Sequence, residues 1–238
     1  DALRVVSAGI RDKLLKYGIA PEKISVINTP INDTVFGILT DAQKLFLEEL
    51  RYKYKHKFIV LFCGRLVAAK NLILTLDVIR RAHTDKPNIQ LLMIGDGELR
   101  DRLKQYISEG RMEQYVTLLG SQHQDKLVIY YHLAQVLVLF STNESFGKTI
   151  IEAGMAGTPS LVSATTGAAD IVTDGITGFI VPINDRNAAA DVLNEMINQP
   201  EQTKQLGGWA RERYLENYAS KRTIERIVSL WKRIHKSV

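Results

Sequence analysis

Two carboxylates eight positions apart, Glu144 and Glu152, bracket the stretch Glu144-Ser-Phe-Gly-Lys-Thr-Ile-Ile-Glu152. Just upstream, Val136–Phe140 is an unbroken apolar run that reads as a buried strand, and residues 148–156 have the apolar spacing of a helix. A strand, a turn and a helix N-terminus in that order form an anion site, because the first N–H groups of a helix lack an intrahelical acceptor. The N–H groups around Gly147, Lys148 and Thr149 are thus expected to face phosphate, and the two glutamates to accept hydrogen bonds from hydroxyls. A ligand with both, as a nucleotide-sugar has, suits the pair. Spacing alone leaves open a carboxylate pair for sugar hydrolysis. However, Glu144 on the loop and Glu152 on the helix better suit a grip on different parts of an extended ligand.

Three other turns follow apolar runs. Gly64-Arg-Leu-Val-Ala-Ala-Lys-Asn71 places Arg65 and Lys70 five apart on one loop, where both reach a diphosphate if the loop folds back. Ile94-Gly-Asp-Gly-Glu-Leu99 brings Gly95 and Gly97 to a tight strand-to-helix turn. It is neither a Walker loop nor a dinucleotide fingerprint, lacking Gly-Lys-Ser/Thr and a third glycine. Leu119-Gly120-Ser-Gln-His123 offers backbone groups to a base edge, with His123 an incidental loop histidine. In Thr165-Thr-Gly-Ala-Ala-Asp170, Gly167 is expected to let backbone approach a ligand, and Asp174-Gly-Ile-Thr-Gly178 reads as a structural turn. His56, His83, His132, His235 and Cys63 show no metal-ligand spacing, so no metal site is expected.

The elements that position these turns alternate. Strands are expected at Ile24–Ile27, Phe58–Cys63, Ile89–Ile94, Val116–Leu119, Val136–Phe140, Ser160–Val162 and Phe179–Val181, and helices at 71–83, 98–109, 124–132, 148–156 and 186–198. The strands barely alternate in polarity, as suits burial on both faces. A βαβα order implies an α/β fold with a doubly wound, mostly parallel sheet, whose ligands bind beyond the carboxyl ends of the strands. Residues 38–57 read as a charged helix capped by Thr40 or Asp41, and 200–238 as two helices opened by Pro200-Glu201 and by Ser220.

The chain has 238 residues, 45% hydrophobic and 24% charged, an ordinary globular composition. No apolar run reaches the length of a membrane span. The absence of an initiator Met suggests a piece of a longer chain or a processed one. The single cysteine, Cys63, sits in an apolar run and is expected to be a buried, inert thiol in a reducing compartment. The formal charge of +5 is mild and partly C-terminal, through Lys221, Arg222, Arg226, Lys232, Arg233 and Lys236. That segment reads as an amphipathic helix with a solvated charged face, or one that meets a membrane surface or a partner domain. It lacks interleaved exposed aromatics, which argues against nucleic acid.

Taken together, residues 58–195 resemble the donor-binding, C-terminal domain of retaining GT-B glycosyltransferases of the large E-x7-E group. This group includes many bacterial mannosyl-, glucosyl- and N-acetylglucosaminyltransferases. The resemblance rests on Gly64-Arg-Leu-Val-x-x-Lys70, Ile94-Gly-Asp-Gly-x-Leu99, Leu119-Gly120, Ser141-x-x-Glu-x-Phe-Gly147, Glu152-Ala-x-x-x-Gly-x-Pro159 and Asp174-Gly-x-x-Gly-Phe179, in that order. It implies that Arg65 and Lys70 bind the donor diphosphate, Glu144 the donor-sugar hydroxyls and Glu152 the ribose. The turn formed by Phe146, Gly147, Lys148 and Thr149 would hold sugar and phosphate. It further implies transfer from a UDP-, GDP- or ADP-linked sugar with retention, without metal or cofactor, by a cytoplasmic enzyme, with peripheral contact at the membrane and a lipid-linked acceptor among the expected partners. By the same resemblance, residues 1–37 are the tail of an N-terminal acceptor domain and a linker, with Val5-Val-Ser7 its last strand. Residues 38–199 bind the nucleotide-sugar, and 200–238 pack back toward the missing domain, so the piece alone is expected to be inactive. The chain departs from the pattern at Asn71, where Gly is usual, at Thr29-Pro30-Ile31, at Gly167-Ala168 and at Asp170. A nucleotide-sugar 2-epimerase and a non-catalytic nucleotide-sugar-binding module remain the alternatives.

Overall fold

A computed structural model of the chain describes residues 2–235, so Lys236 of the basic tail lies outside the described residues. In chain order the elements are β1 (Leu3–Val5), α1 (Ala8–Lys16), β2 (Ile24–Val26), α2 (Asp33–Gly37), α3 (Asp41–Lys53), β3 (Phe58–Cys63), α4 (Leu72–Asp85), β4 (Ile89–Ile94), α5 (Arg100–Glu109), β5 (Val116–Gly120), α6 (Gln124–Leu133), β6 (Val136–Leu139), α7 (Lys148–Met155), β7 (Ser160–Ser163), α8 (Thr166–Ala169), β8 (Gly178–Val181), α9 (Arg186–Asn198), α10 (Pro200–Tyr218) and α11 (Ser220–His235).

Six strands form one parallel sheet in the order β5-β4-β3-β6-β7-β8. The order reverses direction between β3 and β6, which is where a doubly wound sheet opens a crevice at its carboxyl rim. Every residue of β3 and β4 is buried, because helices cover both faces. The helices α4, α5 and α9 pack together on one face, and α3, α6, α7 and α10 on the other. Burial of each such Val, Leu, Ile or Phe side chain contributes about 1.5–3 kcal/mol, so these strands anchor the fold.

The charged segment after residue 37 is helical, as expected, and its cap is Thr40. The Thr40 hydroxyl accepts from Gln43 N, and the Gln43 side chain accepts from Thr40 N, a reciprocal capping box. The N-terminal segment differs from expectation in detail. The strand there is Leu3–Val5 and not Val5–Ser7, since the Ser7 side chain caps α1 by accepting from Ile10 N. The run Ile24–Ile27 is a strand over Ile24–Val26, but it pairs with β1 in a separate two-stranded parallel sheet and never joins the large one.

Asn71 occupies the left-handed region (φ 51°) at the start of α4, and its side-chain amide donates to Asn184 Oδ1 at 2.9 Å. Asn tolerates that conformation better than most residues, which is why it can replace the usual glycine. No helix among the described residues is long and apolar enough to cross a membrane.

Candidate functional site

The turns that follow β3, β4, β5, β6 and β7 are tied to one another along the carboxyl rim, backbone to backbone. Gly64 N donates to Ile94 O at 3.0 Å and Gly95 N to Gly120 O at 2.9 Å. Leu66 N donates to Asp96 O at 2.9 Å, Thr142 N to Ala69 O at 3.0 Å, and Gly167 N to Glu144 O at 2.9 Å. Thr142 thereby pins the end of the 64–70 loop beside the turn that carries Glu144.

That pinning brings together residues 74 positions apart: Lys70 Nζ lies 2.5 Å from Glu144 Oε2. Both side chains are largely shielded, at 18% and 16% exposure, so this pair is less screened than a surface one. The other oxygen, Oε1, accepts from Gly147 N at 3.2 Å. Gly147 holds φ 78° and caps α7, a left-handed conformation that glycine adopts freely. The amide of Gly147, expected to face phosphate, is therefore occupied by Glu144. The amides of Lys148 and Thr149, in the first turn of α7, are left to point off its end.

Glu152 lies one turn into α7 and is buried. The Tyr131 hydroxyl donates to its Oε2 at 2.9 Å, and Lys148 Nζ approaches Oε1 at 3.1 Å. Burial raises the Glu152 carboxyl above its ordinary value, opposed by Lys148 and by the Tyr131 hydrogen bond. The folded protein thus holds this proton more tightly than the unfolded chain. The associated stabilisation is complete below the ordinary carboxylate value and is lost as pH rises through the elevated one.

The remaining expected residues fall on the same rim with different surroundings. Arg65 is exposed on the loop after β3; its carbonyl accepts from Val67 N at 3.0 Å, and among the described residues its side chain has no ion pair or hydrogen bond. Gly95 allows the closest approach of two rim loops, since a Cβ there would sit 1.8 Å from Gly64 O. Gly120 holds φ 69° as β5 ends. Phe146 is buried, its ring edge-on to Tyr218 of α10 at 6.4 Å, so its side chain anchors the turn from within. At Gly167 the protein backbone that comes close is the Glu144–Phe146 turn, with Phe146 N 2.5 Å from where a Cβ would be. His123 is exposed beside Asp125, off this cluster. Among the described residues, no group of three His, Cys, Asp or Glu side chains is placed to hold a metal ion.

Two pairings with Glu152 escaped the sequence reading, although Lys148 itself was among the expected site residues. Lys148 and Glu152 stand four apart on a helix, a spacing that signals an ion pair. Nothing in the sequence marked Tyr131, which comes from α6.

The arrangement can do specific chemistry. It presents cations at Arg65 and Lys70, a helix amino end at Lys148 and Thr149, and two carboxylates that accept from hydroxyls. The model for "Glycosyl transferases group 1" matches residues 48–213. The capsular polysaccharide biosynthesis glycosyltransferase CapM of Staphylococcus aureus is 26% identical over 234 residues, covering 95% of this chain and 60% of CapM. Sucrose-phosphate synthase of Thermosynechococcus elongatus superposes with a TM-score of 0.86 at 26% identity, covering 100% of this chain and 59% of that one. HepE of Anabaena, solved in complex with UDP and glucose, shares the fold with a TM-score of 0.87 at 19% identity, over 97% of this chain and 63% of HepE. The chain thus spans about 60% of the length of these proteins. With the family match running from α3 to α10 and the GT-B type of Rossmann-like sheet in place, the chain belongs to the group 1 glycosyltransferases.

Proposed function

We propose that this chain is the donor-binding half of a retaining glycosyltransferase of the E-x7-E group, which moves a sugar from a nucleoside diphosphate to an acceptor hydroxyl. The observation that carries this reading is the convergence of Lys70, Glu144, Gly147, Lys148 and Glu152 at one end of α7. Relatives named as glycosyltransferases and a fold neighbour holding UDP and glucose support it.

In the mechanism, Arg65, Lys70 and the amino end of α7 stabilise the charge that grows on the leaving diphosphate. Glu144 holds donor-sugar hydroxyls and Glu152 the ribose. No side chain forms a covalent bond, and no metal is needed, since fixed cations and amides meet the developing charge. Lys70 is held by Glu144 in the free protein, so donor entry must trade part of that ion pair for a phosphate contact. The acceptor site would lie on a further domain, with residues 1–37 and 200–238 packing toward it. The separate β1–β2 sheet and the exposed Ile224, Val228 and Trp231 on α11 support that placement. A cytoplasmic setting, with contact to a membrane surface or lipid-linked acceptor, belongs to the same proposal.

Calorimetry with UDP, GDP and ADP tests the reading. The chain is expected to bind one of them with Kd on the order of micromolar, about 8 kcal/mol, and to transfer no sugar by itself. Binding of none would contradict it. A second expectation separates stability from function. Glu152→Gln removes a buried charge while keeping an acceptor for Tyr131, so at pH 8 it should melt at or above the parent, by on the order of 1 kcal/mol. Its nucleotide affinity should still fall by about tenfold or more, because a charge-assisted acceptor is lost. Lower stability with unchanged affinity would reverse both assignments.

A further inference from the structure

The residue that holds Glu152 sits outside every motif named above. Tyr131 is completely buried on α6, 21 positions before Glu152 in the chain. It is fixed on several sides. Its ring packs edge-on against Phe36 of α2 at 5.9 Å, and its carbonyl accepts from Thr158 Oγ1 at 2.5 Å. Its hydroxyl also meets the thiol of Cys63, the last residue of β3. The hydroxyl has one proton, and that proton is donated to Glu152 Oε2. The Cys63 thiol is thus a second polar neighbour of the same hydroxyl, brought from a different element.

Burial pushes the Cys63 thiol up to about 11 and the Tyr131 phenol far above its usual value, so both remain protonated donors. Burial raises the Glu152 carboxyl as well, opposed by Lys148 and by the Tyr131 hydrogen bond. The groups around it are Cys63 from β3, Tyr131 from α6 and Lys148 on its own helix, with Lys70 nearby across Cys63. From α10, Arg211 and Tyr214 face α7 further along, at Met155 and Gly154. One oxygen of Glu152 is taken by Tyr131 and the other is approached by Lys148, so the lone pairs still free determine what a ligand must donate.

We propose that Tyr131, supported by Cys63, is a positioning residue that holds Glu152 oriented as an acceptor for ribose hydroxyls and so sets the preference for ribonucleotides over deoxyribonucleotides. The inference rests on the donor-site reading above and adds to it the device that makes the second carboxylate selective. It also ties the strand that leads to Arg65 to the helix that carries Glu152, across three elements of the sequence.

The test compares the nucleoside diphosphate that the parent chain binds best, among UDP, GDP and ADP, with its 2′-deoxy counterpart, by calorimetry between about pH 6 and 8. The parent should prefer the ribonucleotide by about tenfold, the value of one charge-assisted hydrogen bond. In Tyr131→Phe that preference should fall toward one. Ribonucleotide affinity should also weaken as pH falls, because Glu152 loses the hydrogen bond that favours its ionised form. Deoxynucleotide affinity should barely move. If both nucleotides weaken equally at every pH, Tyr131 is only structural and the proposal fails. Should Tyr131→Phe not fold, Cys63→Ala decides: the same changes, smaller, are expected, and a parent-like ratio and pH profile overturns the proposal. If the parent itself binds none of the three, the donor-site reading is what fails; if it binds ribo- and deoxynucleotide equally, the ribose role of Glu152 fails.

Discussion

Lys70→Ala is expected to lower the turnover of a transferase containing this chain by on the order of 10²-fold or more. The size follows from where the amine sits. Lys70 is a largely shielded cation, 2.5 Å from a carboxylate, on a loop fastened to the turn that opens α7. A charge held there needs little reorganisation when a diphosphate departs, and low exposure makes it worth more than a surface lysine. Its loss also leaves Glu144 without its counter-ion, so an anionic donor would meet an uncompensated carboxylate. The double variant Lys70→Ala with Glu144→Gln separates the two contributions. It should recover part of the nucleotide affinity but little of the turnover. Near-normal turnover in Lys70→Ala refutes the role given to this side chain.

The second large effect concerns Gly95. Its φ of 139° is one that residues with a Cβ rarely adopt, and a Cβ would lie 1.8 Å from Gly64 O. Gly95→Ala must therefore part the loops after β3 and β4, and with them the bonds from Gly64 N to Ile94 O and from Gly95 N to Gly120 O. A loss of about 4 kcal/mol or more is expected, in the tail of single-substitution effects. At this chain length that corresponds to roughly 10 °C in Tm. Nucleotide affinity should fall with it, since Arg65 and Lys70 ride on the displaced loop. Gly208→Ala is the control. It lies inside α10 with nothing within 4 Å of its Cβ, so it should stabilise by about 0.5–1 kcal/mol. Comparable melting of the two variants would show that the rim glycines are not a steric necessity.

Much of the sheet was readable before any coordinates, because strands buried on both faces leave continuous apolar runs. Phe58–Cys63 and Ile89–Ile94 were legible to the residue for that reason. The short pieces were not. With nine residues or fewer and little apolar periodicity, α1, α2 and α8 are set by what packs on them, and α8 exists where Gly167 lets it lie on the Glu144–Phe146 turn. The candidate site divides in the same way. Arg65, Lys70, Glu144 and Glu152 stand at spacings that carry chemistry and were named from them. The pairing of Lys70 with Glu144, the use of the Gly147 amide and the grip of Tyr131 are contacts between distant segments. One sequence fixes residue types, but which segments meet depends on the whole sheet closing. Phe146 shows the limit from the other side. It was named for its place in the turn, and nothing in the sequence marked its ring as a packing anchor against Tyr218.

The central claim is that one end of α7, with the loops after β3 and β6, receives a nucleotide. Amide chemical-shift mapping of the 238-residue chain titrated with UDP, GDP and ADP addresses it most directly. The account predicts saturable shifts, for at least one of the three, confined to Gly64–Asn71, Gly95–Gly97, Gly120 and Glu144–Glu152. Shifts centred instead on the groove lined by Arg222, Arg226 and Ser25, where a concavity of about 690 Å³ lies between β2 and α11, would contradict it.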